Sequence, residues 1–193
     1  MKRSLFVLIS IVGVALLAAA CGGGMSKDHN AQDVSFAQEM IPHHRQAVEM
    51  ADLAATRASD PKVQAIAAQI KGAQDPEIRT MTGWLTSWGE PVTPSAGGGM
   101  AGHSMGGSSG SAGGMGMMTD AEMTSLEGSS GAAFDRQFLM MMTGHHNGAI
   151  DMAKTQLDKG KFEPAKQLAT TIADSQQKEV AEMKSILAAL PTA

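Results

Sequence analysis

The 193-residue sequence has no tyrosine and one cysteine, Cys21, and is short of positive charge, with 15 lysines and arginines against 19 acidic residues. A single thiol can form neither an internal disulfide nor a cysteine-based metal site. The charge balance, with no basic patch, argues against nucleic acid as a partner. No Ser/His/Asp or Cys/His arrangement is recognisable, so hydrolase chemistry has no support. The Glu-x-x-His motif of di-iron bundles is also missing. The one long apolar run, Leu5 to Leu17, is too short and wrongly flanked for an ordinary membrane-spanning helix.

That run reads instead as the core of an export signal. Lys2 and Arg3 precede it, Ala18-Ala19-Ala20 follow, and then come Cys21 and three glycines. The pattern looks like a bacterial lipoprotein cleavage site, with residues 1–20 removed and Cys21 lipidated. The alternative is an ordinary secretory signal beside a chance cysteine. Removal of Lys2 and Arg3 leaves 13 basic against 19 acidic residues, a net charge near −6.

What the chain has in excess is methionine, 16 residues, and an internal repeat. Asp33, Phe36, Met40, His43-His44, Ala47 and Met50-Ala51 recur as Asp135, Phe138, Met142, His145-His146, Ala149 and Met152-Ala153, always 102 positions later. The offset continues: Ile70 maps to Ile172, Gln74 to Gln176, Glu77 to Glu179 and Met81 to Met183. The repeated unit is therefore a helix hairpin. Phe36, Met40, His43, Ala47, Met50 and Ala54 alternate steps of four and three, which is one face of a helix. Asp33 is the expected N-cap, and Ser59-Asp60-Pro61 breaks the first helix and starts the second. Thr119 to Glu122 has the form of a capping box opening a short helix. Two further long helices are expected, from near Ala132 to about Asp158 and from near Glu163.

Two amphipathic hairpins that cannot bury their apolar faces alone pack together. The expected fold is all-α, an antiparallel four-helix bundle spanning 33–190. It divides into hairpin one (33–90), a flexible linker (91–118) and hairpin two (119–190), with a tether over 21–32. The linker is long enough to cross the bundle, as in ferritin-like folds, or to loop back.

Counting from the turn near Ser59-Asp60 brings His43 level with Gln74 and Glu77, and Met40 level with Ile78 and Met81. In the second hairpin, His145 and His146 face Gln176 and Glu179, and Met142 lies near Met183. Adjacent helical residues diverge by about 100°, so His43 and His145 are the deeper pair, with His44 and His146 turned toward the neighbouring helix. A buried layer of histidine and glutamate is costly unless its members pair with one another or with a ligand. The plain reading is a self-satisfied layer that specifies the fold; the sharper one is a metal site. Its candidate ligands are His43, His44, His145, His146, Glu77 and Glu179, bordered by Met40, Met142, Met50 and Met152. Imidazole with thioether suits copper, Cu(I) above all, whereas iron or manganese prefers more carboxylate. Met100, His103, Met105, Met115, Met117 and Met118 in the linker have no evident core to fill and form a second, capturing set; compositional drift is the alternative.

Phe36–Ala51 (FAQEMIPHHRQAVEMA) and Gly131–Ala153 (GAAFDRQFLMMMTGHHNGAIDMA) resemble the exported bacterial family "domain of unknown function 305", over nearly all of residues 33–190. The resemblance implies a ferritin-like fold. It also implies copper binding and copper tolerance outside the cytoplasm, with His43, His44, Met50, His145, His146 and Met152 at the motif positions. Thr143-Gly144 replaces Ile41-Pro42 and is expected to loosen the helix before the second histidine pair. The reading that follows is a non-enzymatic metal-binding lipoprotein, held to the membrane through Cys21, that sequesters copper. A ferritin-like metal oxidase and a metal-free envelope module are the alternatives. Homo-oligomerisation is left open.

Overall fold

The computed structural model describes residues 28–93 and 114–191. The signal segment, Cys21, and the linker residues Met100, His103 and Met105 lie outside the described residues. The long helices are α1 (Ala31–Arg57), α2 (Pro61–Trp88), α4 (Gly131–Lys159) and α5 (Glu163–Ala189), with a short α3 (Asp120–Gly128) before the second hairpin. None of the described helices is long and apolar enough to cross a membrane.

Each boundary has a local cause. Asp60 caps α2 through Lys62 N, with Pro61 in the first turn, and Gly89 closes α2 at φ 74°. Thr119 and Glu122 form the capping box of α3. The N-cap of α1 is Asn30 rather than Asp33; Asp33 is the third helical residue and completes a capping box from there. The one-turn shift follows from the better use the fold makes of Asp33, described below. Pro42 sits inside α1 without ending it. Its repeat mate Gly144 does not loosen α4, which is continuous from Gly131 to Lys159.

Both hairpins are antiparallel, and they are joined in a crossover. The end of α2 lies beside the start of α1, where Gln38 donates to the Pro91 carbonyl and His29 stacks on Trp88. The start of α4 lies at the opposite end, where Arg57 donates to the Ser129 carbonyl. The end of α2 and the start of α4 therefore lie at opposite ends of the bundle, and every neighbouring pair of long helices runs antiparallel. This is the ferritin-like arrangement.

Two buried aspartates lock the hairpins to each other. Asp33 accepts from Asn30 N, from Gln156 Nε2, and from the amides of Lys161 and Phe162 at the α4–α5 turn. Asp135, its repeat mate, accepts from Ser59 N at 3.0 Å, Ser59 Oγ at 2.5 Å and Asp60 N at 3.0 Å at the α1–α2 turn. Each hairpin thus supplies a carboxylate to the open amides of the other hairpin's turn. Two apolar clusters fill the bundle on either side of its middle. One holds Phe134, Phe138, Met142, Ile66, Ile70 and Met183; the other holds Phe36, Met40, Met81, Leu85, Ala169 and Ile172.

Candidate metal centre

Between the two clusters lies the polar layer. His43, His44, His145 and His146 are each at most 1% exposed. They reach this depth because consecutive residues of α1 and α4 point in two directions. His43 and His145 meet across the α1–α4 interface with ring centroids 3.7 Å apart and planes at 40°. His44 and His146 turn to their own hairpin partners. His44 Nε2 donates to Glu77 Oε2 at 2.7 Å, and His146 Nε2 donates to Glu179 Oε2 at 2.8 Å. Gln69 adds a bond to Glu179 Oε1.

His43 finds a different kind of acceptor. Its Nε2 donates to the backbone carbonyl of Met115 at 3.0 Å. Carboxylate and carbonyl oxygens accept, so Nε2 carries the proton in all three rings. That leaves Nδ1 as the lone-pair atom of a neutral imidazole. The Nδ1 atoms of His43, His44, His145 and His146 are all buried without a partner, and so is Nε2 of His145. Both polar atoms of the Gln74 amide and Oε1 of Gln176 are in the same condition. A layer that only specified the fold would be expected to satisfy these atoms. Here three of the rings are held through Nε2, while Nδ1 of all four is left without a partner.

Burial favours the neutral ring in the central pair. Burial pushes His43 down to about 3, with the neighbouring His44 adding to the effect. Burial, followed by His43, lowers His145 well below the ordinary imidazole range. Neutral imidazole is the ligand form. The imidazole nitrogens fit a copper-type ion in chemistry, and Met40 and Met142 stand in the apolar clusters that border the layer. They do not converge on one point as placed. Among the described residues, no group of three or more His, Cys, Asp or Glu side chains could by itself hold a metal ion.

The methionines divide. Met40, Met50 and Met142 are fully buried among apolar side chains, where packing accounts for them. Met152 and Met115 line a cavity of about 50 Å³ together with Phe36, Glu39, Gln32 and Thr155; burial raises Glu39. Of the linker methionines within the described residues, Met115 is 49% exposed, whereas Met118 packs on the core. Residues 114–118 are docked across α1 and α4, and their only trace in the sequence is the unequal residues at 42/144 and 46/148. Sequence reasoning also missed the role of Asp33 and Asp135, although both stood in the repeat.

A family model described as "Domain of unknown function (DUF305)" matches residues 33–187. Among solved structures, a DUF305 protein of Streptomyces coelicolor is 33% identical, with a TM-score of 0.71 over 81% of this chain and 91% of that one. CopM in its Cu(II)-bound form is 31% identical, with a TM-score of 0.65 over 80% and 95%. CopM in its Cu(I)-bound form is 27% identical, with a TM-score of 0.61 over 79% and 93%. An uncharacterized protein of Acanthamoeba polyphaga mimivirus is 49% identical over 53 residues, and the match spans 35% of that relative's length.

Proposed function

The chain belongs to the DUF305 family, and from that premise we propose that it is an extracytoplasmic metal-binding lipoprotein that sequesters copper, chiefly Cu(I), in the histidine layer between its two hairpins. The observation that carries the proposal is the set of unpartnered Nδ1 atoms on four buried histidines, three of which are held through Nε2. Metal-ligating histidines commonly donate their second nitrogen to such an acceptor. The likeness to CopM, solved with Cu(I) and Cu(II), supports copper as the metal. A low-coordinate, soft ion also tolerates a donor set that offers few ligands at any one point.

Binding without turnover fits this chain better than oxidase chemistry. The layer contributes two carboxylates, Glu77 and Glu179, and each is occupied by a histidine. The signal-like N-terminus and Cys21 support export and membrane attachment through lipid, and a neighbour assigned as secreted agrees with export. In this reading the linker residues Met100, His103, Met105, Met115 and Met117 collect the ion and the layer retains it.

The test is anaerobic Cu(I) titration of the mature protein beside a His43→Ala/His145→Ala variant, using a competing chelator. Loss of the tightest site in the variant is expected. Unchanged stoichiometry and affinity would remove the layer from the account.

A further inference from the structure

The two repeats differ where the linker touches them. By the 102-residue offset, Pro42 and Gln46 of α1 correspond to Gly144 and Gly148 of α4. Both departures lie under residues 114–118. A Cβ on Gly148 would stand 1.7 Å from the Met115 carbonyl oxygen and 2.4 Å from its carbon, so no other residue fits with the linker in place. Gly116 is also tightly placed: a Cβ there would meet the Gly144 carbonyl oxygen at 2.7 Å. On the opposite side, Gln46 grips the backbone of Met118 twice, with Nε2 donating to its carbonyl at 2.9 Å and Oε1 accepting from its amide at 2.7 Å. Between these holds Met115 takes a left-handed conformation, φ 58° and ψ 42°, which a residue with a side chain adopts only under constraint.

The constraint delivers one atom to the layer. His44 and His146 receive repeat-related acceptors, Glu77 and Glu179, from their own hairpins. His43 receives the Met115 carbonyl, a group outside the repeat, whereas its mate His145 has the His43 backbone beside it and no well-formed hydrogen bond. We propose that residues 114–118 form a strap whose Met115 carbonyl is the positioning group for His43, holding the ring as the Nε2–H tautomer with Nδ1 as its donor atom, and that Gly148 and Gln46 are the residues that seat the strap. The proposal rests on the metal-binding reading for its consequence, since a fixed outer acceptor sets ring orientation and ligand basicity. It adds an asymmetry to that reading: one half of a duplicated site is completed by the segment that joins the halves.

Gly148→Ala displaces the strap without weakening α4, because alanine is the better helix former; Gln46→Ala releases the other end. Histidine ¹⁵N–¹H correlation spectra of the metal-free mature protein read the tautomers directly. The wild type is expected to show Nε2–H at His43, and both variants a mixed or reversed tautomer there, with His44 and His146 unchanged. Ag(I), a redox-inert probe for Cu(I), should bind the variants about 10- to 100-fold more weakly. His43 remaining a pure Nε2–H tautomer in both variants would overturn the proposal, as would unchanged Ag(I) affinity once the tautomer has shifted. A wild type that fails to bind Ag(I) in the layer would sink the metal reading, while the tautomer shift would still support the strap as what orients the ring.

Discussion

Asp135→Ala tests the clamp that fixes one hairpin against the other. The substitution strands three donors: the amides of Ser59 and Asp60 and the hydroxyl of Ser59. Bonds to a charged acceptor contribute about 1.5–3 kcal/mol each when buried. These donors sit at a turn that is only part-buried, and water recovers some of that loss. About 1 kcal/mol per donor, or roughly 3 kcal/mol in all, is the reasonable figure. For a domain of this size each kcal/mol moves the midpoint by about 2–4 °C, so Tm should fall by roughly 6–12 °C. Thermal unfolding of the metal-free protein at neutral pH, followed by far-ultraviolet circular dichroism, reads it. The Asp33→Ala variant, which strands the amides of Asn30, Lys161 and Phe162 and the amide group of Gln156, should lose a similar amount. The two clamps lie at opposite ends of α1, about 39 Å apart at the helical rise, and their effects should add in the double variant. A shift of under 2 °C for either single variant would refute the idea that these carboxylates join the hairpins.

Two further outcomes follow from the layer. His43 is pushed from the ordinary 6.5 to about 3 and His145 is lowered in the same direction. The unfolded chain therefore binds more protons than the native one in the window between those values. Stability should be full above about pH 6.5 and fall as pH drops toward 3, by up to about 1.4 kcal/mol per pH unit for each ring; urea unfolding from pH 7.5 to 4.5 should show a shallower slope in a His43→Gln/His145→Gln variant, and an equal slope would contradict the burial argument. Glu179→Ala should weaken Cu(I) binding about 10- to 100-fold by freeing His146 Nε2, with stoichiometry retained; chelator competition that finds equal affinity would show that the pair has no part in ligation.

Much of this was legible because the repeat acts as its own control. The offset between the copies identified the hairpin as the unit, and the steps of four and three placed Phe36, Met40, His43, Ala47 and Met50 on one buried face. Counting from the turn put Glu77 and Glu179 within reach of a histidine. The count could not separate His43 from His44, since a one-residue difference along a helix is a rotation and not a change of level; the structure gives the glutamates to His44 and His146. The clamps were hidden for a different reason. An aspartate before an apolar stripe has an ordinary local use as an N-cap, and nothing local tells that Asp33 instead serves a turn some 128 residues away. The docked strap was obscured by composition, because a Gly- and Met-rich stretch carries no periodicity of its own. Its trace was in the places where the copies disagree, Gln46 against Gly148.

An ion held by the histidine layer would sit between α1 and α4 on the unpartnered Nδ1 atoms. Anomalous diffraction at the copper edge, from crystals of the mature protein loaded anaerobically with Cu(I), addresses this most directly. The account predicts a peak within bonding distance of Nδ1 of His43 or His145, with the Met115 carbonyl still on His43 Nε2. Copper found only on surface methionines, with the four Nδ1 atoms left unligated, would contradict it.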